Sequence, residues 1–151
     1  MKVGRIGVGV YGQSLESFLE TLRSAGTETV IDIRRFRGLR GPKYRWANSK
    51  SLQASLKQAG IAYRHEIDLS PTRELRAVQK RSDVQAGVGK SNRENLSPAF
   101  IVGYLAQVAP HLTLDFTSSL PTRTAFLCVE SSDAACHRSI LLTMLEEKER
   151  A

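Results

Sequence analysis

Long apolar runs are missing from this sequence. No stretch of its 151 residues approaches the roughly 20 needed to cross a bilayer. Glycines also interrupt the opening segment from Met1 to Gly12, where a secretory leader needs an unbroken greasy core. A cytoplasmic protein is expected. Cysteine is scarce as well: Cys128 and Cys136 are too few for a disulfide scaffold, and a reducing compartment keeps them as thiols. Their interest is therefore local chemistry. Together with His65, His111 and His137 they form no close-spaced pair of ligand motifs, so the spacing points to no metal, and no cofactor is expected. Internal repeats and low-complexity tracts are lacking too.

What is present in excess is positive charge. The formal net charge is +7 and the isoelectric point about 9.8. Clustered cations gain binding free energy by releasing counterions from phosphates, which points to a polyanionic partner; a merely solvated basic surface is the plain alternative. Placement decides between them. The stretch DIRRFRGLRGPKYRW, Asp32 to Trp46, holds six basic residues (Arg34, Arg35, Arg37, Arg40, Lys43, Arg45) and no acid after Asp32. Phe36, Tyr44 and Trp46 are set among them. A solvated helix face intersperses acids, whereas cations beside aromatic rings suit the phosphates and bases of single-stranded or flipped-out nucleotides.

With 41% apolar and 25% charged residues, the length suits one domain over residues 1–151 with a single core. Ile6 to Val10 is compatible with a strand. Ser14 then caps a helix in which Leu15, Phe18, Leu19, Leu22 and Ala25 fall at helical spacing, and Gly26 stops it. Thr29 to Ile33 reads as a buried strand, Ser49 to Ala59 as a second helix closed by Gly60, and Ile61 to Ile67 as another strand. That order predicts βαβ units: an α/β fold, a single three-layer domain with a mainly parallel sheet flanked by helices. From Leu69 to Leu96 the periodicity disappears and cations outnumber acids, which predicts a long basic loop at about 69–96. Ser97 and Pro98 open a further helix that Pro110 ends, a shorter one is expected between Thr113 and Leu120, and Ala125 to Glu130 is the clearest buried strand, followed by a terminal helix.

Chemistry gathers at that last junction. With Asp133 as N-cap, Cys136 falls at the third helical position with His137 and Arg138 beside it. A helix amino end favours anions and lowers a thiol's pKa, and in an open parallel sheet ligands bind beyond the strands' carboxyl ends, where this turn would lie. The plain alternative is a small buried hydrophobe at Cys136, with His137 on the apolar face of Ile140, Leu141 and Met144; Cys128, inside an apolar strand, reads as core. Asp32 and Glu130 end two strands. If those strands are neighbours, the carboxylates can serve as acid or base, or pair with Arg34 and Arg138, and pairing is the favoured role.

The SLESF helix, AGTETVIDIRRF, KQAGIAYRH and above all CVESSDAACHR, in this order, resemble the bacterial and archaeal family known as domain of unknown function 488. The similarity runs from Val8 to Leu145, poorly through the middle loop, and it is the combination of DIR and CHR that is specific. The resemblance implies an α/β domain with a compact site at Asp32, Arg34, Glu130, Cys136, His137 and Arg138, and it supplies no activity. The family usually has histidine or tyrosine followed by serine after the glycine of its first motif; here Val10 and Tyr11 follow Gly9.

The leading functional expectation is a nucleic-acid-interacting protein. Basic loops from Arg34 to Arg45 and from Arg73 to Arg93 hold DNA or RNA phosphates around a pocket of Asp32, Glu130, Cys136, His137 and Arg138, with Tyr44 and Trp46 among the binding residues. Hydrolysis at a base or N-glycosidic bond, with Asp32 or Glu130 activating water, is the enzymatic version. The alternatives are a cysteine enzyme for small anions, with Cys136 as thiolate in the manner of rhodaneses or phosphatases, and a non-catalytic binding module, which the change at Val10 and Tyr11 would suit. Against the first, Arg138 follows Cys136 by only two residues, where those enzymes place an arginine several later.

Overall fold

The computed structural model describes residues 4–88, 96–129 and 136–150. Short apolar segments alternating with amphipathic ones build strands β1 (Gly4–Val8), β2 (Thr29–Asp32), β3 (Ala62–His65) and β4 (Arg123–Leu127). The helices are α1 (Leu15–Ser24), α2 (Ser49–Gln58), α3 (Arg73–Ala86), α4 (Pro98–Val108), α5 (Leu114–Ser119) and α6 (His137–Arg150). All the strand pairings are parallel, in the order β1-β4-β2-β3. The last strand in sequence thus lies between the first two, and its Ala125, Phe126 and Leu127 are fully buried.

Period-two alternation sorts side chains to the two faces of this sheet. Val30, Ala125 and Leu127 pack with Phe18 and Leu22 of α1 and Leu52 and Leu56 of α2. Ile31, Ile33, Phe126 and Cys128 face the other way, onto Phe100 and Tyr104 of α4 and Leu141 and Leu145 of α6. Helices therefore cover both faces, giving the three-layer α/β arrangement that the βαβ order predicts. No helix among the described residues is long and apolar enough to cross a membrane.

The local signals act as their chemistry requires. Ser14 accepts from the Ser17 N–H while the Ser17 hydroxyl accepts from the Ser14 N–H, a reciprocal cap on α1. Gly26 at φ +66° turns the chain out of that helix. Ser97 caps α4 through the Phe100 N–H, with Pro98 in the first turn. Strand bounds shift modestly from expectation. β1 starts earlier, at Gly4 paired with Arg123, and ends at Val8, beyond which the Val10 and Tyr11 N–H groups both turn onto the Val129 carbonyl, and Ile67 leaves β3 for a short 3-10 turn.

The expected loop at about 69–96 needs correction: half of it, Arg73–Ala86, is α3. Thr72 caps this helix through the Leu75 N–H, and Gly87, left-handed at φ +73°, ends it. Apolar periodicity misses α3 because its inward face is polar. Gln79 and Asp83 are buried there, with Gln79 Nε2 donating to Asp83 Oδ1 (2.7 Å) and the Ser97 N–H donating to Gln79 Oε1 (2.9 Å). Within that segment, residues 89–95 lie outside the described residues.

Candidate functional site

Because β4 separates β1 from β2, the carboxyl ends of these three strands open at one edge, a position where parallel sheets receive ligands. Asp32 ends β2 there and is fully buried. Its Oδ1 accepts from the Arg34 N–H (3.1 Å) and Nε (2.9 Å), and its Oδ2 from Arg34 Nη2 (2.8 Å) and the Tyr63 hydroxyl (2.6 Å). A carboxylate offers about four lone-pair positions, and these four contacts occupy them. Asp32 is therefore an anchor, with no lone pair left to activate water. Arg34, itself buried, is completed by donating from Nη1 to the Ala47 carbonyl (2.9 Å), which pulls the far end of the basic loop back to the sheet. Its expected phosphate-binding role does not fit this geometry. Burial chiefly, and then the hydrogen bond to Asp32, raise the pKa of Tyr63 above the ordinary 10.0, while Arg37 acts in the opposite direction.

The rest of the basic stretch divides. Arg35 and the exposed Phe36 face a cleft described below. Arg35 donates to the carbonyls of Pro71 (3.0 Å) and Ser70 (3.3 Å), and Arg37 donates to the Tyr63 hydroxyl (3.2 Å). Arg40, Lys43 and Arg45 are exposed. The aromatic pair expected to stack on bases is used inside the protein: the Tyr44 hydroxyl accepts from the Gly12 N–H (2.9 Å) with its ring on Tyr11, and Trp46 packs on Phe18 with ring centres 5.1 Å apart. Phe36, 65% exposed, is the ring the fold leaves on the surface of this loop.

At the amino end of α6 the helix begins at His137, so Cys136 immediately precedes it rather than lying inside the first turn, and its carbonyl accepts from the Ser139 N–H (3.2 Å). Cys136 and His137 are buried. Arg138 is buried too, and its Nη1 donates to the Val8 carbonyl (3.1 Å), tying α6 to β1. His137 Nε2 lies 3.2 Å from the Ile33 carbonyl and so carries the proton, while Nδ1 faces Cys136 Sγ at 3.5 Å and Cys128 Sγ at 3.7 Å. Cys128, read from sequence as core, is thus also part of this group. Tyr104 of α4 packs edge-on against the His137 ring at 5.2 Å. Burial holds its phenol well above the usual range, and the neighbouring Cys136 and Cys128 push it the same way. Glu130 and Asp133 lie outside the described residues.

A cleft of about 540 Å³ joins these parts. Arg34, Arg35 and Phe36 form one wall, Arg76, Gln79, Lys80 and Asp83 of α3 the opposite wall, and Cys128, Val129 and His137 the floor. The Arg76 guanidinium sits 4.8 Å from the centre of the Phe36 ring, bridging the mouth. Cys136 and Arg138 do not line the cleft. Phe36, Gln79 and Cys128 are among the lining residues that the sequence reading did not place at the site, and Arg76 entered it only within the basic segment from Arg73 to Arg93. Phe36 and Arg76 stood in basic segments, a usable signal, but nothing in the spacing shows that α3 closes over the turn after β2.

Residues 14–145 match the family model described as domain of unknown function DUF488. The chain belongs to this family. No curated protein and no solved structure matches it. The DUF488 match takes in both walls and the floor of the cleft, while Val10 and Tyr11, where the chain departs from the expected first motif, fall before it begins.

Proposed function

We propose that this protein binds nucleic acid, DNA or RNA, seating an unpaired, flipped-out or modified base in the cleft between the turn after β2 and α3. The observation that carries the reading is the mouth of the cleft. Arg35, Arg76 and Lys80 surround it, Phe36 stands exposed beside Arg76, and the volume of about 540 Å³ is ample for a base. An exposed ring among cations supplies stacking and phosphate contact together. The one acid lining the cleft among the described residues, Asp83, is buried and hydrogen-bonded to Gln79. Arg40, Lys43 and Arg45 extend the positive surface along the same loop, where flanking phosphates would run.

The proposal is one of binding. Asp32, with both oxygens engaged, does not support a general-base role in hydrolysis. Cys136, fully buried and outside the cleft lining, does not suit attack on a small anion in the manner of a rhodanese or phosphatase. A cytoplasmic setting, where thiols stay reduced, belongs to the proposal. The test is fluorescence anisotropy with short single- and double-stranded DNA and RNA across a salt series. Expected are preference for single strands or duplexes with an unpaired base, steep loss of affinity with salt, and a loss of about 1–3 kcal/mol in Phe36→Ala. Affinity that is flat with salt and indifferent to Phe36→Ala would sink it.

A further inference from the structure

We infer that Cys128, Cys136 and His137 form a binding site for a zinc-class divalent metal ion, open to the cleft. Their donor atoms, two Sγ and His137 Nδ1, all lie within 4.8 Å of one another. The individual separations are the stronger observation. Two ligands held tetrahedrally by zinc, a sulfur at about 2.3 Å and a nitrogen at about 2.0–2.1 Å, stand about 3.6 Å apart. The structure has 3.5 Å from Nδ1 to Cys136 Sγ and 3.7 Å to Cys128 Sγ.

The surroundings match what a metal ligand needs. The proton on His137 Nε2, directed at the Ile33 carbonyl, leaves the Nδ1 lone pair toward the sulfurs, the outer-shell pattern that fixes a ligating imidazole. The Tyr104 ring edge holds the imidazole plane. Binding releases the two thiol protons and takes the thiolates and neutral imidazole as ligands. Thiolate and imidazole donors select zinc over calcium or magnesium. Among the described residues the donors are two cysteines and one histidine, a three-ligand set of the kind that takes water or a ligand group at a fourth position. Cys128 and His137 line the cleft, so that position is reached from the cavity.

Sequence spacing hides this site. Cys128 follows β4 and Cys136 precedes α6, and only the return of α6 onto the sheet brings their sulfurs together. The inference does not depend on nucleic acid binding, since its test contains none.

The test is titration of the full-length, reduced protein with cobalt(II), followed by displacement with zinc. Expected is uptake of one ion per chain, with thiolate-to-cobalt charge-transfer absorption and the intense visible bands of a tetrahedral centre, abolished by one equivalent of zinc. Cys128→Ser and Cys136→Ser should each weaken zinc binding by at least about 10-fold and reduce the charge-transfer intensity, while His111→Gln, on an exposed histidine, leaves both unchanged. Should a serine variant not fold, X-ray absorption of the zinc-loaded wild type decides, with a shell of two sulfurs and at least one imidazole nitrogen expected. Absence of the charge-transfer band in the reduced wild type, a shell without sulfur, or uptake that folded serine variants retain would each overturn the inference.

Discussion

At the scale of single residues, the Asp32–Arg34 pair shows how buried charge is tolerated: the carboxylate takes its full set of contacts, and the guanidinium gains a carbonyl as well. Removing one partner leaves the other charged and buried. Asp32→Asn should therefore destabilise the protein by about 3–5 kcal/mol in urea unfolding, and Asp32→Asn combined with Arg34→Met should recover part of that loss, because no uncompensated charge then remains inside. An effect under about 1 kcal/mol would mean the pair is screened by water. Tyr63 gives a pH signature of defined sign. Its folded pKa lies above 10.0, so its contribution is fully present below the unfolded value and is lost as pH rises from about 10 through the folded value. Stability measured from pH 8 to 11 should fall at the alkaline end, and Tyr63→Phe should flatten that fall.

At the scale of elements, α3 forms a wall of the cleft on a scaffold of few apolar contacts. Leu75 and Val78 are only partly buried, while Gln79 and Asp83 carry the inner face. Where Leu75 meets α4, Gly103 has no side chain, and a Cβ there would run into the Leu75 methyl group. The ends of such a helix count for more, since little packing backs them. Thr72→Ala should cost about 1 kcal/mol and accelerate amide exchange within residues 73–86 more than in β2 or β4. Equal acceleration across the sheet would show that α3 unfolds only with the whole protein. Thr72 and Gly87 bound the helix, but the segment between them reads as loop because a hydrogen-bonded polar face leaves no apolar stripe to count.

At the scale of the molecule, the surplus of cations acts through where the fold puts it. Each cation that contacts a phosphate of a single strand should lower the salt slope by about 0.7 when removed. Arg76→Ala and Lys80→Ala are expected to do so, with loss spread evenly over base sequences, whereas Lys148→Ala, outside the cleft lining, should not change the slope. Equal slopes in all three variants would place the polyanion on another face of the protein. Tyr44 and Trp46 carry the complementary lesson: aromatics within a basic stretch looked like stacking surfaces, yet both rings pack against residues near or in α1, and Phe36 stays outside.

The sequence by itself determined the α/β class, most helix ends, the Asp32–Arg34 pairing and the excess of positive charge, because these depend on residues close together in the chain and on totals. Only the tertiary structure decided that β4 enters between β1 and β2, that Tyr63 meets Asp32, that α3 faces Phe36 and that Cys128 stands beside Cys136 and His137. Strand order and helix return are set by the burial of both sheet faces at once, a condition on the whole chain that no local spacing encodes.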